Sequence, residues 1–337
     1  MFTQKNKILF IVLVFVLLGT FLLNVSLGSV SIPTTEIFNS ILGNEIKTSW
    51  EIILWNFRLP KAITAIIVGM GLSISGLLMQ TLFRNPLAGP YVLGLSSGSS
   101  LGVAFVIMGA GFLPSFLVSN YGIVLASSLG SFLVLMAVLV VSQKLRDTMA
   151  ILIVGLMFGS FTSAIVSVLS YFSTAQELQK FTFWSMGSLA NLPWSSILIL
   201  GFCCGLGLVL SVLSIKPLNA LLLGENYAKS LGLNFKKTRF IIIFATSILA
   251  GSITAFAGPI AFVGLAVPHL AKLLFQTSNH FILFWSTLLI GAILMLVCDS
   301  IAQLPGSDYT LPINAITSMV GAPVVVWLLV RKRKIMI

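Results

Sequence analysis

The chain has 337 residues, of which 58% are apolar and only 8% are charged, and its mean hydropathy is +1.09. Soluble domains carry about 25% charged residues, so this composition excludes a soluble globular protein and favours a polytopic membrane protein. The net charge of +11 does not indicate a nucleic-acid partner, because the basic residues are spread over alternate loops and the C-terminal tail rather than gathered on one face.

The apolar segments predict an all-α polytopic membrane protein, a single transmembrane domain over residues 1–337 with about ten helices and both termini in the cytoplasm. A crossing helix needs about 20 mostly apolar residues. The predicted spans lie near residues 8–27, 58–83, 92–109, 120–142, 148–171, 194–213, 239–256, 259–275, 280–302 and 311–330. Gly258-Pro259 separates the seventh span from the eighth, in a stretch too long for one crossing. Eight or nine spans remain an alternative, because the third and eighth segments are short.

The N-terminal apolar run, Ile8 to Leu23, follows two lysines and fits either a signal peptide or a first span. We expect an uncleaved span, because many further spans follow it. The next polar stretch, residues 24–56, carries more acid than base and is therefore predicted to lie outside. Pro33-Thr34-Thr35-Glu36 in that stretch is typical of a helix start.

The distribution of basic residues predicts the orientation, since loops rich in Lys and Arg stay on the cytoplasmic side. With the N-terminus inside, 15 of the 19 Lys and Arg residues are cytoplasmic, and only Lys47, Arg58, Lys61 and Lys180 are outside. A shift of the topology by one span would scramble this partition.

The long polar interval at residues 216–239 is called the coupling loop below. It carries five basic residues against one acid, Glu225, and is therefore predicted to be cytoplasmic. Leu218, Leu221 and Leu222 in its first half, and Ala228 and Leu231 in its second, have helical spacing, with glycines as breaks. We predict two short amphipathic helices whose apolar face is covered by a soluble partner. Gly232 is expected to have a left-handed backbone where the second helix stops.

Small residues recur at every fourth position in the third span. Gly94, Gly98 and Gly102 form one smooth helix face, which favours close helix packing in a membrane. Ser97 lies in the run Ser96–Ser100, and an alternative interpretation is that this run lines a polar conduit, because five consecutive small residues cannot all face one neighbour.

The turn Phe83-Arg84-Asn85-Pro86-Leu87-Ala88-Gly89-Pro90 is bracketed by two prolines and lies on the inner side. Irregular backbone at membrane depth persists only where protein or water covers it, so this turn is predicted to be an inner gate.

No metal site or nucleotide site is predicted in this chain. The two histidines, His269 and His280, have no carboxylate or cysteine at ligand spacing, and the three cysteines lie in apolar segments. No phosphate-binding G-x-x-x-x-G-K motif is present, so ATP-driven transport would need an ATPase on another chain. Asp299 is expected to reach the outer surface from the end of the ninth span, with a place on a transport pathway as the alternative.

Five stretches carry a resemblance to a known family. They are RLPKAITAIIVG (58–69), GLLMQTLFRNPLAGPYVLGLSSGSSLG (76–102), LLLGENYAKSLG (221–232), AFAGPIAFVGLAVPHLAKLL (255–274) and LPINAITSMVGAPVVVWLL (311–329). Over almost its whole length the chain resembles the FecCD-type (BtuC-like) permeases of bacterial ABC importers for iron-siderophores, heme and cobalamin.

The resemblance implies a multi-pass subunit of the bacterial plasma membrane with ten spans and no catalytic residue of its own. Its implied partners are two cytoplasmic ATPase subunits, which bind ATP and Mg, an extracytoplasmic substrate-binding protein, and a second permease chain in a homodimer or paralogous heterodimer. No cofactor is implied in this chain.

The resemblance also implies roles for individual residues. ATPase coupling is placed on Gly224, Glu225, Ser230, Leu231 and Gly232. Binding-protein docking is placed on Arg58 and Lys61, and the inner gate on Asn85 and Leu87. Two positions depart from the family pattern. Lys61 stands where arginine is usual, which loses the fork that holds a carboxylate with two bonds. Gln303 stands where the cobalamin importer has a further outer arginine, which weakens the cobalamin assignment.

The predicted function is the membrane subunit of an ATP-driven importer of iron chelates, siderophore or heme. A cobalamin importer of the same family is the alternative. A secondary transporter driven by an ion gradient is the rival from another class, and it would place ionisable residues near the bilayer midplane, where this sequence has none.

Overall fold

The computed structural model describes residues 4–114, 116–144, 148–190, 192–230, 232–304, 306–307 and 309–333. The predicted all-α class is confirmed, since all regular secondary structure in these ranges is helical. The α-helices in chain order are α1 Gln4–Ser26, α2 Thr34–Ile41, α3 Thr48–Ile53, α4 Leu59–Leu82, α5 Leu95–Met108, α6 Asn120–Lys144, α7 Thr148–Phe172, α8 Ala175–Ser185, α9 Trp194–Leu213, α10 Ile215–Leu222, α11 Glu225–Ser230, α12 Phe235–Ala257, α13 Val263–Phe275, α14 His280–Ala302 and α15 Ile313–Arg333.

A helix lies in each of the ten segments predicted to cross the membrane. Among the described residues, seven helical segments are long and apolar enough to do so by length and composition. One of the seven runs continuously from Thr48 to Leu82, because a π-helical turn at Leu54–Arg58 joins α3 to α4. The helices α5 and α13 and the apolar part of α15 are shorter. The number of crossings therefore stays a prediction.

Helix α4 lies at the centre of the bundle and packs against α9, α12, α13 and α14. Its small residues permit this close packing. Gly69 lies against the backbone of Gly291 in α14, and Gly76 lies against the backbone of Gly264 in α13, so neither position has room for a Cβ atom. Backbone contact of this kind is how apolar helices associate in lipid, where no hydrophobic drive exists between them.

The break between α12 and α13 spans five residues. Gly258 has φ +74° and Phe262 has φ +65°, so the chain leaves one helix and enters the next through left-handed backbone. Helix α13 begins at Val263, four residues later than the span start predicted at 259. The turn at Gly258 packs against the segment after α8, where Ser188 donates its N–H to the carbonyl of Ala257 at 2.8 Å.

Candidate coupling and docking sites

The coupling loop forms two short helices, α10 and α11, but the exposed apolar side differs from the prediction. Leu218, Leu221 and Ala228 are buried. Leu222, Leu223 and Tyr227 are instead exposed, by 51%, 62% and 56%. The predicted face was therefore wrong for the three buried residues, because helical spacing defines a face without showing which neighbour covers it. The exposed apolar surface of the loop is the side chains of Leu222, Leu223 and Tyr227.

Glycine ends both helices of this loop. Gly224 and Gly232 have φ +110° and +83°, so the left-handed backbone predicted for Gly232 is confirmed. The amide of Gly232 donates to Lys229 O at 2.9 Å and that of Leu233 donates to Ala228 O at 3.1 Å. This is the hydrogen-bond pattern of a glycine C-cap.

Three other residues were predicted to take part in coupling: Ser230, Glu225 and Leu231. Ser230 donates its hydroxyl to Tyr227 O at 2.8 Å and so caps its own helix. Glu225 is the first residue of α11, and Leu231 lies outside the described residues.

The predicted inner-gate turn follows α4 directly and is folded back on itself. Asn85 Oδ1 accepts the amide of Leu87 at 2.9 Å, and Asn85 O accepts the amide of Ala88 at 3.0 Å. These bonds leave the Leu87 side chain 45% exposed. The turn is a compact element with one apolar residue projecting from it.

Two side-chain bridges connect α10 to the end of α4, and sequence reasoning assigned no role to either. Arg84 donates from Nη2 to the carbonyl of Leu221 at 2.8 Å. Asn219 Oδ1 accepts from the backbone amide of His280 at 2.9 Å and lies 3.0 Å from its Nδ1, while Nε2 lies 2.8 Å from Thr81 Oγ1. The detectable signal was a pair of polar side chains, Asn219 and His280, each beside apolar residues of its helix.

At the opposite end of α4, a buried ion pair joins three helices. Lys61 Nζ lies 3.1 Å from Asp299 Oδ1, with the two side chains 15% and 2% exposed. Asp299 Oδ2 accepts from Asn24 Nδ2 at 3.0 Å and from Gln303 Nε2 at 2.8 Å. The expectation that Asp299 reaches the outer surface was therefore wrong, because Lys61 from α4 and Asn24 from α1 satisfy its carboxylate inside the bundle.

The guanidinium of Arg58 also binds groups of its own chain. It donates to Val30 O at 2.9 Å and to Gln303 Oε1 at 3.2 Å, and its residue is 8% exposed. It packs directly on Gly28, whose φ is +145°. Arg58 and Lys61 thus lie together at the edge of a cavity of about 320 Å³. Their heads, however, bind partners within this chain, and docking to another protein stays a prediction.

The small residues of the third span lie at two helix contacts. A Cβ on Gly98 would lie 2.5 Å from Gly130 O of α6, and Gly102 lies against Ala126 of the same helix. A Cβ on Gly94 would lie 2.8 Å from Gly155 O of α7, where Ser97 Oγ approaches Gly159.

These contacts support the packing interpretation for all four positions. In the serine run, Ser99 is fully buried and bonds to Ser131 Oγ and Ser127 O on α6. A conduit along this run stays a prediction.

Helix α8 borders a cavity of about 740 Å³, whose lining includes Tyr121, Glu177, Lys180 and Trp184. The helix begins with a capping box, in which Thr174 Oγ1 accepts from the Glu177 amide and Glu177 Oε2 accepts from the Thr174 amide at 2.8 Å. The backbone hydrogen bond from Thr174, followed by the hydroxyl of the same residue, lowers the pKa of Glu177.

A bundle of apolar helices, seven of them long enough to cross a bilayer among the described residues, defines a membrane-embedded protein. The hemin transport system permease protein HmuU of Yersinia pestis is 33% identical over 97% of this chain and 95% of its own length. The vitamin B12 import system permease protein BtuC of Klebsiella pneumoniae is 34% identical over 95% of this chain and 93% of its own. Residues 14–331 match the model of the FecCD transport family. The chain therefore belongs to the FecCD transport family, whose members are permeases of ABC importers.

Solved structures agree with this assignment. A structure described as an inward-facing conformation of a metal-chelate type ABC transporter is similar with a TM-score of 0.85 and 32% identity, over 96% of this chain and 99% of that one. PsaBC from Streptococcus pneumoniae matches with a TM-score of 0.55 and 13% identity, over 88% of this chain and 95% of that one, and shares the fold. The resemblance inferred from the five sequence stretches is confirmed, and the chain is a multi-pass protein of the bacterial plasma membrane.

Proposed function

We propose that the chain forms the membrane path of an ATP-driven importer of an iron chelate, either heme or a ferric siderophore. The similarity to a hemin permease and to a metal-chelate type transporter supports this cargo class. Cobalamin is the alternative cargo, supported by a vitamin B12 permease of nearly equal identity. Gln303 favours the iron chelate, because its amide bonds Asp299 and Arg58 within this chain and adds no outer positive charge.

The observation that carries an ATP-driven mechanism is the exposed apolar surface of the coupling loop. Leu222, Leu223 and Tyr227 lie on a loop whose two helices each end at a glycine and are anchored by the buried Leu218, Leu221 and Ala228. An exposed apolar patch flanked by basic residues is typical of a surface that binds another protein. The partner is a cytoplasmic ATPase subunit, which would bind ATP and Mg and hydrolyse ATP, so this chain is not itself an enzyme.

A second permease chain would cover part of the remaining apolar surface. Helix α7 is one of the least buried long helices, with Ile153, Leu156, Met157 and Phe161 each at least 48% exposed. Lipid covers such residues as readily as protein does. Two ATPases working as a pair need two coupling loops, and that symmetry supports a dimer of permease chains.

Docking of an extracytoplasmic binding protein is placed at the cavity bordered by Arg58 and Lys61, and gating at the turn that holds Asn85 and Leu87. Two observations argue against a secondary transporter driven by an ion gradient. The buried ion pair Lys61–Asp299 lies near the ends of α4 and α14, away from the bilayer midplane. The family to which the chain belongs consists of permeases of ATP-driven importers. ABC import requires all of these parts to act together.

Uptake assays in a strain that lacks this gene test the cargo. Labelled hemin, a labelled ferric siderophore and labelled cobalamin are supplied one at a time, with the restored wild-type gene as the control. We expect hemin or ferric siderophore uptake to return with the gene and to stop when ATP is depleted. Return of cobalamin uptake alone would contradict the iron chelate, and uptake that survives ATP depletion would contradict the mechanism.

A further inference from the structure

Arg84 has a backbone conformation that side chains rarely adopt. Helix α4 ends at Leu82, and the next residues form the same capping pattern that Gly232 forms after α11. The amide of Arg84 donates to Thr81 O at 3.3 Å and that of Asn85 donates to Gln80 O at 3.2 Å. Arg84 holds the glycine position of this cap with φ +47°. Glycine would fit there without strain, so what distinguishes Arg84 is the contact that its side chain makes.

The guanidinium of Arg84 reaches the last turn of α10. The Leu221 carbonyl accepts this bond together with the amide of Gly224 at 3.1 Å, and a cation is favoured at that end of a helix. The inner-gate turn and the exposed apolar surface of the coupling loop are thus joined directly, since Leu222 follows Leu221.

The hydrogen-bond donors and acceptors in the second bridge, Asn219–His280–Thr81, can be assigned. Because the Asn219 oxygen accepts the backbone amide of His280, the atom facing His280 Nδ1 is an acceptor, and Nδ1 carries a hydrogen. In a neutral ring, Nε2 is then an acceptor 2.8 Å from Thr81 Oγ1, whose single hydrogen it shares with the Leu77 carbonyl at 2.9 Å. This chain of bonds runs from α10 through the first residue of α14 to the last turn of α4.

We propose that Arg84 and the Asn219–His280–Thr81 bridge are positioning residues that transmit movement of α10 to the inner-gate turn. Both bridges begin on the helix that the ATPase would move, and they end on Thr81 and Arg84, on either side of the junction between α4 and the inner-gate turn. The proposal rests on the proposed function, because it needs an ATPase on the coupling loop.

The test follows the accessibility of the gate in inverted membrane vesicles that hold the complete transporter. Leu87→Cys is labelled with a membrane-impermeant maleimide, with and without ATP and vanadate, and the same protein without that cysteine gives the background from the native thiols. Arg84→Gly removes the bridge and relieves the backbone strain. Gln276→Gly is the matched control, because Gln276 also has left-handed backbone, φ +50°, at the end of α13 on the same side.

We expect Arg84→Gly to keep its ATPase and its basal ATP hydrolysis while the nucleotide-dependent change in labelling rate falls about tenfold, as for one charge-assisted hydrogen bond. Asn219→Ala should act in the same way, and Asn219→Asp, which keeps an acceptor for both N–H groups, should restore most of the change. Gln276→Gly should behave as wild type.

Three results separate the possibilities. An unchanged nucleotide response in Arg84→Gly and Asn219→Ala would overturn the inference and leave the proposed function intact. Loss of the ATPase from these variants would also overturn it, because the bridges would then only hold α10 in place. Absence of any nucleotide response or bound ATPase in the wild-type chain would instead refute the proposed function.

Discussion

Replacement of Asp299 tests the buried ion pair most directly. Both oxygens of this carboxylate are used, with Oδ1 facing Lys61 and Oδ2 accepting from Asn24 and Gln303. Asp299→Asn keeps the shape of the side chain but has only one acceptor, so its NH2 group must face a donor in either orientation. It also leaves the Lys61 ammonium without a counter-charge at 15% exposure.

Breaking a buried pair by removing one partner costs about 3–5 kcal/mol. The lower end applies here, because Lys61 keeps some access to water, so we expect a loss of about 3 kcal/mol in the free energy of unfolding. For a protein of this size, that corresponds to a fall in Tm of roughly 4 °C.

Thermal unfolding in detergent can be followed with a thiol-reactive dye. Cys204 and Cys298 are buried in the folded chain and become reactive only when it opens. The matched control is the double variant Lys61→Met/Asp299→Asn, which removes both charges and lets the remaining amide oxygen face Asn24 and Gln303.

The double variant should therefore lose less stability than Asp299→Asn alone, with a coupling energy of about 2 kcal/mol. Additive losses, or an unchanged Tm in the single variant, would refute the ion pair as a stabilising contact. A charge reversal at Lys61 is a poor test of docking for the same reason, since it would place two carboxylates together.

Four further outcomes are expected. Gly232→Val should lower the ratio of transport to ATP hydrolysis, because left-handed backbone costs a side chain about 1–2 kcal/mol and no neighbour within 4 Å adds a clash; a normal ratio would remove the loop from coupling. Gly28→Ala should lower Tm by displacing the Arg58 guanidinium, whereas Gly43→Ala, also left-handed but with open space around it, should cost less. The cap on α8 is fully formed above the unfolded pKa of Glu177 and is lost as pH falls through its lowered folded pKa, so the protection of α8 amides, relative to their intrinsic exchange rates, should fall as that carboxylate is protonated; Glu177→Gln should abolish this pH dependence. Native mass spectrometry of the active complex should find two permease chains, and an active complex with one would contradict the dimer.

The sequence predicted the features that depend on nearby residues. Glycine caps, the break at Gly258 and the positions of the long helices follow from local spacing and backbone preference. The coupling loop was recognisable because a basic, glycine-punctuated interval is unusual between apolar helices. The family of the chain was also recognisable from five short stretches of sequence.

The orientation of side chains was not predictable in the same way. Leu218 and Leu221 pack inward, because α10 lies against the ends of α4 and α14, which are distant in sequence. Lys61 and Asp299 are separated by 238 positions, and Asn219 and His280 by 61. Charge and periodicity identify such residues as unusual, but only the packing of helices shows which of them meet.

Helices α4 and α14 are joined at three levels, and this arrangement bears on how the two ends of the molecule communicate. Lys61 binds Asp299 near one end, Gly69 and Gly291 touch in between, and Thr81 bonds His280 at the other end. Lys61 and Thr81 are about 30 Å apart along the helix, which is the thickness of the hydrocarbon core. Sliding of one helix along the other would break both polar contacts, so the pair should move as one body. A displacement of α10 would then reach the cavity beside Arg58 and Lys61 as well as the inner-gate turn.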